Sequence, residues 1–223
     1  MRIIIVRHGE PNYEKDCLTS LGIRQAKAVA KRLADEGIEE IYSSPMGRAR
    51  ETAQETADLL GFGEVKIVDF MHELAWGTVG GPLYGDGHPW MISDEMVNEG
   101  WDLNRTDWKT HPGFINNRIV KEIEHVEEQT DVWLSTLGYQ REGLYYRNVH
   151  EDDKQHTIAL FCHGGSSTAM LARMLNLTFP YLCATLHLGH TGIATIRFTR
   201  RPGELCIPTM DLMGDERHKI GVD

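Results

Sequence analysis

Ile3-Ile4-Ile5-Val6-Arg7-His8-Gly9-Glu10 stands at the head of the chain, and its first half reads as a buried strand because four apolar, mostly β-branched residues follow one another. The glycine lets the backbone turn sharply just where an arginine and a histidine have been delivered. Far downstream Thr157-Ile158-Ala159-Leu160-Phe161-Cys162 runs into His163-Gly164-Gly165 in the same way. Two strands therefore each end in a histidine followed by glycine.

Between these strand ends the hydrophobic period changes from runs to helical spacing. Thr19 or Ser20 is a candidate N-cap for a first helix, in which Ala26, Val29, Ala30, Leu33 and Ala34 share a face and Gly37 is the stop. Residues 38–43 read as a short strand, and Ser44-Pro45 turns the chain into a second helix with a stripe of small residues at Ala49, Thr52, Ala53, Thr56 and Ala57. Residues 65–68 give a third strand. Strands alternating with helices predict an α/β fold: a three-layer α/β/α sandwich with a mainly parallel sheet, whose active site lies at the carboxyl ends of the strands.

The rhythm breaks over residues 77–114, which are rich in glycine and proline and hold Trp90, Trp101 and Trp108 without a sustained period. A helix beginning near Gly113 or Phe114 and running to about Leu137 follows. The expectation is one domain over 1–223 carrying an inserted, lid-like irregular and helical segment at about 77–137. Its tryptophans offer either an apolar wall for a substrate or a satellite core. Residues 144–149 and 193–198 read as further strands, and a helix opens after His163. Residues 208–223 show no period and read as a tail or a site-closing segment.

The chain has 223 residues and a formal net charge of −10, with no local arginine- and lysine-rich block. That balance argues against nucleic acid and membrane surfaces as partners. Cys17, Cys162, Cys183 and Cys206 form no CxxC pair, so metal and redox spacing are both missing and reduced thiols are expected. No stretch approaches a membrane span, and cytoplasmic is the expected location. Oligomeric state has no signal.

Several separated motifs converge on one resemblance. Arg7-His8-Gly9-Glu10, Leu18-Thr19 with Gly22 and Gln25-Ala26, Ser43-Ser44-Pro45 with Arg48-Ala49 and Thr52-Ala53, and His163-Gly164 occur in order from about Arg2 to Leu175. Together they resemble the histidine phosphatase superfamily, in its phosphoglycerate-mutase-like branch. The resemblance implies that His8 is the nucleophile that becomes phosphohistidine. Arg7, Arg48 and His163 would bind the phosphoryl group, with Gly164 helping to form a backbone nest. It also implies that Glu73, in Met71-His72-Glu73-Leu74, is the acid and base.

The chemistry agrees with those residue types. Phosphoryl transfer needs a nucleophile in line with the leaving oxygen and cations around the equatorial oxygens. A guanidinium can fork to two phosphate oxygens, and Arg48 at a helix start adds free N–H groups and a favourable dipole. A metal at His8 and His163 is disfavoured by the like charge of Arg7 and Arg48, so no metal and no cofactor is expected. Glu10 and Asn12 are candidates for the substrate side, Glu10 equally for shaping the turn. Only Glu10 to Cys17 separate Arg7-His8-Gly9 from Leu18-Thr19, a shorter loop than in phosphoglycerate mutases. The expected activity is hydrolysis of a small phosphorylated metabolite through phosphohistidine. The alternatives are a phosphoglycerate-type mutase and a non-catalytic module that binds a phosphorylated ligand or a protein.

Overall fold

A computed structural model describes residues 1–79 and 87–222; residues 80–86 of the inserted segment and Asp223 of the tail lie outside the described residues. A six-stranded sheet forms the middle layer. It contains β1 (Arg2–Arg7), β4 (Glu40–Ser43), β5 (Lys66–Ile67), β8 (Thr157–Cys162), β9 (Ile193–Arg197) and β11 (Thr209–Asp215), in the order β11-β9-β1-β8-β4-β5. The pairings β1–β8, β8–β4 and β4–β5 are parallel, while β9 runs antiparallel to both β1 and β11. The sheet is thus mainly parallel, with one reversed strand.

Every apolar residue of β1 is buried because the strand is central and both sheet faces are covered. Ile4 and Val6 pack with Val29 and Leu33 of α1 (Ser20–Leu33) and with Ala53 and Ala57 of α2 (Gly47–Leu60). Ile3 and Ile5 belong to the opposite core, with Ile123 and Leu134 of α5 (Ile119–Thr136) and Met170 of α6 (Gly164–Leu175). The small residues of α2 let that helix lie close to the sheet. Thr19 is the N-cap of α1, accepting from the Gly22 N–H at 3.0 Å.

Smaller elements complete the chain. A hairpin joins β2 (Pro11–Asn12) to β3 (Cys17–Leu18), and β6 (Tyr139–Glu142) and β7 (Tyr145–Asn148) form a separate antiparallel sheet with β10 (Leu205–Cys206). The remaining helices are α3 (Pro89–Asn98), α4 (Pro112–Ile115) and α7 (Phe179–Thr185).

Four features depart from the periodicity. The aperiodic stretch contains α3, whose buried positions Pro89, Ile92, Ser93 and Met96 include a serine that hydrogen-bonds back to Pro89 O at 2.8 Å. That satisfied polar residue masks the helical stripe. The single helix expected up to Leu137 is broken into α4 and α5, and Asn117 Oδ1 in the break accepts the N–H groups of Gly77 and Ile119. The tail from Thr209 to Asp215 is an edge strand, made irregular by register shifts at Met210/Leu212 and Leu212/Asp215. Helix α1 ends at Leu33 rather than running up to Gly37.

Candidate active site

Strand register builds the centre of the site. Arg7 of β1 lies opposite Cys162 of β8, so the residues that follow, His8 and His163, leave the sheet side by side with ring centroids 5.0 Å apart. Ser43 of β4 lies opposite Phe161, which brings Ser44 to the same edge. Because β9 is antiparallel, the loop before it, with His190, arrives at this edge too. The turn after His8 requires glycine, because a Cβ on Gly9 would stand 2.6 Å from the Gly22 carbonyl oxygen.

The protons of His8 follow from its partners. Its Nδ1 is 2.7 Å from the Gly9 carbonyl oxygen, which can only accept, so the Nδ1–H donates and Nε2 keeps its lone pair. Arg48 Nε donates to that Nε2 at 3.3 Å. Burial, followed by the charges of Arg48 and Arg7, outweighs the Gly9 hydrogen bond and pushes the imidazole pKa down to about 3. His8 is therefore a neutral, lone-pair-bearing ring at neutral pH.

His163 is fully buried, and burial together with His8, Arg48 and Arg7 holds its pKa far below the ordinary range. Its Nε2 lies 2.7 Å from Ser44 Oγ, which itself accepts the Met46 N–H at 3.2 Å. The hydroxyl can donate to Nε2, an arrangement that leaves the imidazole proton on Nδ1. This nitrogen is buried without a partner among the described residues, as is Arg7 Nε. In that arrangement two unspent N–H donors, His163 Nδ1–H and Arg7 Nε–H, border the pair of histidines, as an anion site requires.

Both guanidiniums are held in place by several partners. Arg7 Nη1 donates to Leu188 O at 2.8 Å, and its Nη2 lies 3.5 Å from His190 Nε2. Arg48 Nη1 pairs with Asp16 at 2.5 Å, Nη2 reaches Met46 Sδ, and the Tyr13 ring covers the group at 5.4 Å. Asp16 also accepts the Gly47 N–H at 2.7 Å, fastening Arg48 to the start of α2.

Glu73 follows β5 and a 3-10 turn at Asp69–Met71. Its Oε1 accepts the N–H groups of Leu74 and Gly165, each at 3.0 Å. Burial raises the carboxyl pKa, opposed by those N–H groups and by Arg7 and Arg48. The Gly165 N–H at the start of α6 thus serves Glu73. A Cβ on Gly165 would come within 2.6 Å of that carboxylate oxygen. Gly164 lines the cavity beside Arg7.

A cavity of about 520 Å³ lies beside this cluster. Arg7, Glu73 and Gly164 line it, and His8, Arg48 and His163 are joined to them as described. Glu10 and Asn12 do not line it. Glu10 accepts the Thr19 hydroxyl at 2.8 Å and donates its N–H to Gln25, which makes it a turn residue. Asn12 spends its carbonyl on the Lys15 N–H at 3.1 Å within its own turn. Trp108 is core, edge-on to Phe114 at 4.8 Å, and Trp101 packs edge-on to His111 at 4.8 Å. Trp90 lines the cavity, joined by Trp76, His88 and His187, which sequence reasoning had not singled out. Asp16, Ser44 and His190 were likewise missed. Ser44 lay in a quoted motif, but its partner is 119 residues away.

His8, Glu73 and His163 bring ligand atoms within 4.8 Å of one another, a spacing a cation could use. Arg48 Nε already faces the His8 nitrogen and Arg7 adds a second positive charge, so the electrostatics select an anion.

The chain is similar to several known proteins. A protein assigned as phosphoserine phosphatase 2 in Hydrogenobacter thermophilus is 23% identical over 204 residues, covering 87% of this chain and 88% of its own. A protein assigned as phosphoglycerate mutase in Yersinia pestis is 40% identical over 70 residues, or 27% of this chain and 33% of that one. The crystal structure of a phosphoserine phosphatase from Entamoeba histolytica, in complex with 3-phosphoglyceric acid, superposes with a TM-score of 0.63 at 26% identity. It covers 97% of this chain and 98% of its own. A family profile matches residues 3–206, and the chain belongs to the histidine phosphatase superfamily, branch 1.

Proposed function

We propose that this chain is a metal-independent phosphomonoester hydrolase acting on a small phosphorylated metabolite through a phosphohistidine at His8. The observation that carries this is the neutral His8 ring, with Nδ1–H committed to Gly9 O and the Nε2 lone pair facing Arg48. His8 Nε2 attacks phosphorus as the bond to the leaving alcohol oxygen breaks. Arg7, Arg48 and His163 Nδ1–H stabilise the equatorial oxygens, and Glu73 in its acid form protonates the departing oxygen. The Glu73 carboxylate then takes a proton from water, whose oxygen attacks the phosphohistidine and releases phosphate.

Phosphatase names among the relatives support hydrolysis, and 3-phosphoglyceric acid in one of them supports a small substrate. The short match to a mutase keeps return of the phosphoryl group to a second hydroxyl as the rival outcome. No helix among the described residues is long and apolar enough to cross a membrane. The four cysteines are unpaired, which supports a reducing, cytoplasmic setting.

Incubation with radiolabelled phosphomonoesters, followed by a denaturing alkaline quench, tests the route. Acid-labile label on the wild-type protein and none on His8→Ala is expected, with turnover falling by more than about 10⁴-fold and no loss on adding a chelator. A fully active His8→Ala variant, or activity that requires a divalent ion, overturns it. With 3-phosphoglycerate, free phosphate supports hydrolysis and 2-phosphoglycerate supports the mutase.

A further inference from the structure

We propose that the far end of the active-site cavity receives the apolar or aromatic alcohol portion of a phosphomonoester that carries no carboxylate. This rests on the phosphatase reading of the same site and specifies its substrate class. Beyond Arg7, Glu73 and Gly164, the wall is made largely by Leu74, Trp76, Trp90, Ile119, Leu186 and Leu188. His88 packs edge-on to Trp76 at 4.9 Å and against Trp90 at 5.5 Å, and Trp90 in turn meets Phe179 edge-on at 6.3 Å. Trp90 and His88 are thereby fixed from behind, while Trp76 stays 43% exposed. A wall of this kind takes a flat or branched apolar group without ordering flexible side chains.

Charge points the same way. Arg7 is the one guanidinium in the lining among the described residues, no lysine lines it, and Arg48 lies against His8 and Asp16 at the phosphoryl end. Both arginines belong to the phosphoryl end. The imidazoles of His88 and His187 are the other basic groups of the lining, and burial favours the neutral form of His88. Residues 80–86, Gly-Gly-Pro-Leu-Tyr-Gly-Asp, contain no arginine or lysine. A carboxylate on the alcohol would therefore enter an apolar wall without a guanidinium or ammonium partner and near the Glu73 carboxyl, a costly burial of charge. The 3-phosphoglyceric acid bound by one relative carries such a group.

Steady-state hydrolysis of 2-phenylethyl phosphate, ethyl phosphate, 3-phosphoglycerate and phosphoserine tests the inference. All four have alkyl leaving groups, and intrinsic leaving ability favours the two acids. The expected kcat/KM for 2-phenylethyl phosphate exceeds each of the others by about tenfold or more, the size expected for burying a ring. In Trp76→Ala its ratio to ethyl phosphate should fall towards unity, mainly through KM, whereas a folding defect would lower both rates together. Faster hydrolysis of either acid, or an unchanged ratio in Trp76→Ala, overturns the inference and leaves the phosphatase reading standing. Calorimetry with 2-phenylethylphosphonate and ethylphosphonate measures the same preference without turnover. Tighter binding of the phenyl compound with no hydrolysis of any ester would overturn the phosphatase reading alone, and equal binding would overturn this inference.

Discussion

One side of the site is built by residues that leave buried strands in register, and the cavity beside it by side chains from four segments with no common strand. At the phosphoryl end, pairing of Arg7 with Cys162 and of Ser43 with Phe161 fixes His8, His163 and Ser44 relative to one another. At the proposed leaving-group end, Leu74 and Trp76, then His88 and Trp90, then Ile119, then Leu186 and Leu188 meet only because loops and helix starts pack together in the tertiary structure. The first end is polar and holds buried polar atoms without partners among the described residues; the second is largely apolar. Phosphoryl chemistry needs fixed donors, whereas specificity is altered by exchanging loop residues around them.

The largest effect that spans the two ends is expected at Glu73, which borders both. Glu73→Gln should lower kcat by roughly 10²- to 10³-fold with an alkyl leaving group. Its raised pKa keeps the acid form present to higher pH than an ordinary carboxyl would. The rate of enzyme phosphorylation should therefore fall as pH rises through that pKa, and this alkaline limb should vanish in Glu73→Gln. Rapid-quench rates across pH check it; a limb that survives the substitution would remove Glu73 from the proton's path.

A smaller effect, confined to the phosphoryl end, is expected at Ser44. Loss of its hydroxyl in Ser44→Ala frees His163 to place its proton on Nε2, and kcat should drop by about tenfold, the value of one hydrogen bond. Nitrogen-15 spectra of His163 should report the change from an Nδ1–H ring to a mixture, and Ser44→Thr should restore the first state. An unchanged tautomer would mean that burial, rather than Ser44, sets the ring. Neither His8 nor His163 should titrate between about pH 5 and pH 8, where an unperturbed imidazole does.

The smallest effect is expected at Asn12 in the hairpin. Asn12 is spent on the Lys15 N–H, so Asn12→Ala should change kcat/KM by less than about twofold for every ester, as surface substitutions generally do. A substrate-dependent loss would return Asn12 to the substrate side.

Legibility in the sequence followed the same division. Ile3 to Val6 and Thr157 to Cys162 read as buried strands because continuous apolar runs have few other uses, and Thr19 read as a cap because its hydroxyl acts on a backbone N–H three residues away. Helix α3 was hidden by Ser93, a polar residue satisfied within its own helix. The strand at Thr209–Asp215 was hidden by bulges and by its half-exposed edge position. Trp90, Trp101 and Trp108 looked equivalent, yet Phe114 and Phe179 hold Trp108 in the core while Trp90 faces the cavity.

The sequence by itself determined the buried strands, the helices that cover them, and the motif order that places His8, Arg48 and His163 in one family. These are local: a residue's neighbours within a few positions dictate period, cap and turn. Only the tertiary structure decided which groups meet across more than a hundred residues, such as Ser44 with His163 and Arg7 with Leu188. It also decided that the reversed β9 brings His190 to the strand ends, and that Trp76 joins Trp90 over the cavity. Strand direction, register and loop packing are settled by burial over the whole core, and no short window of sequence contains that balance.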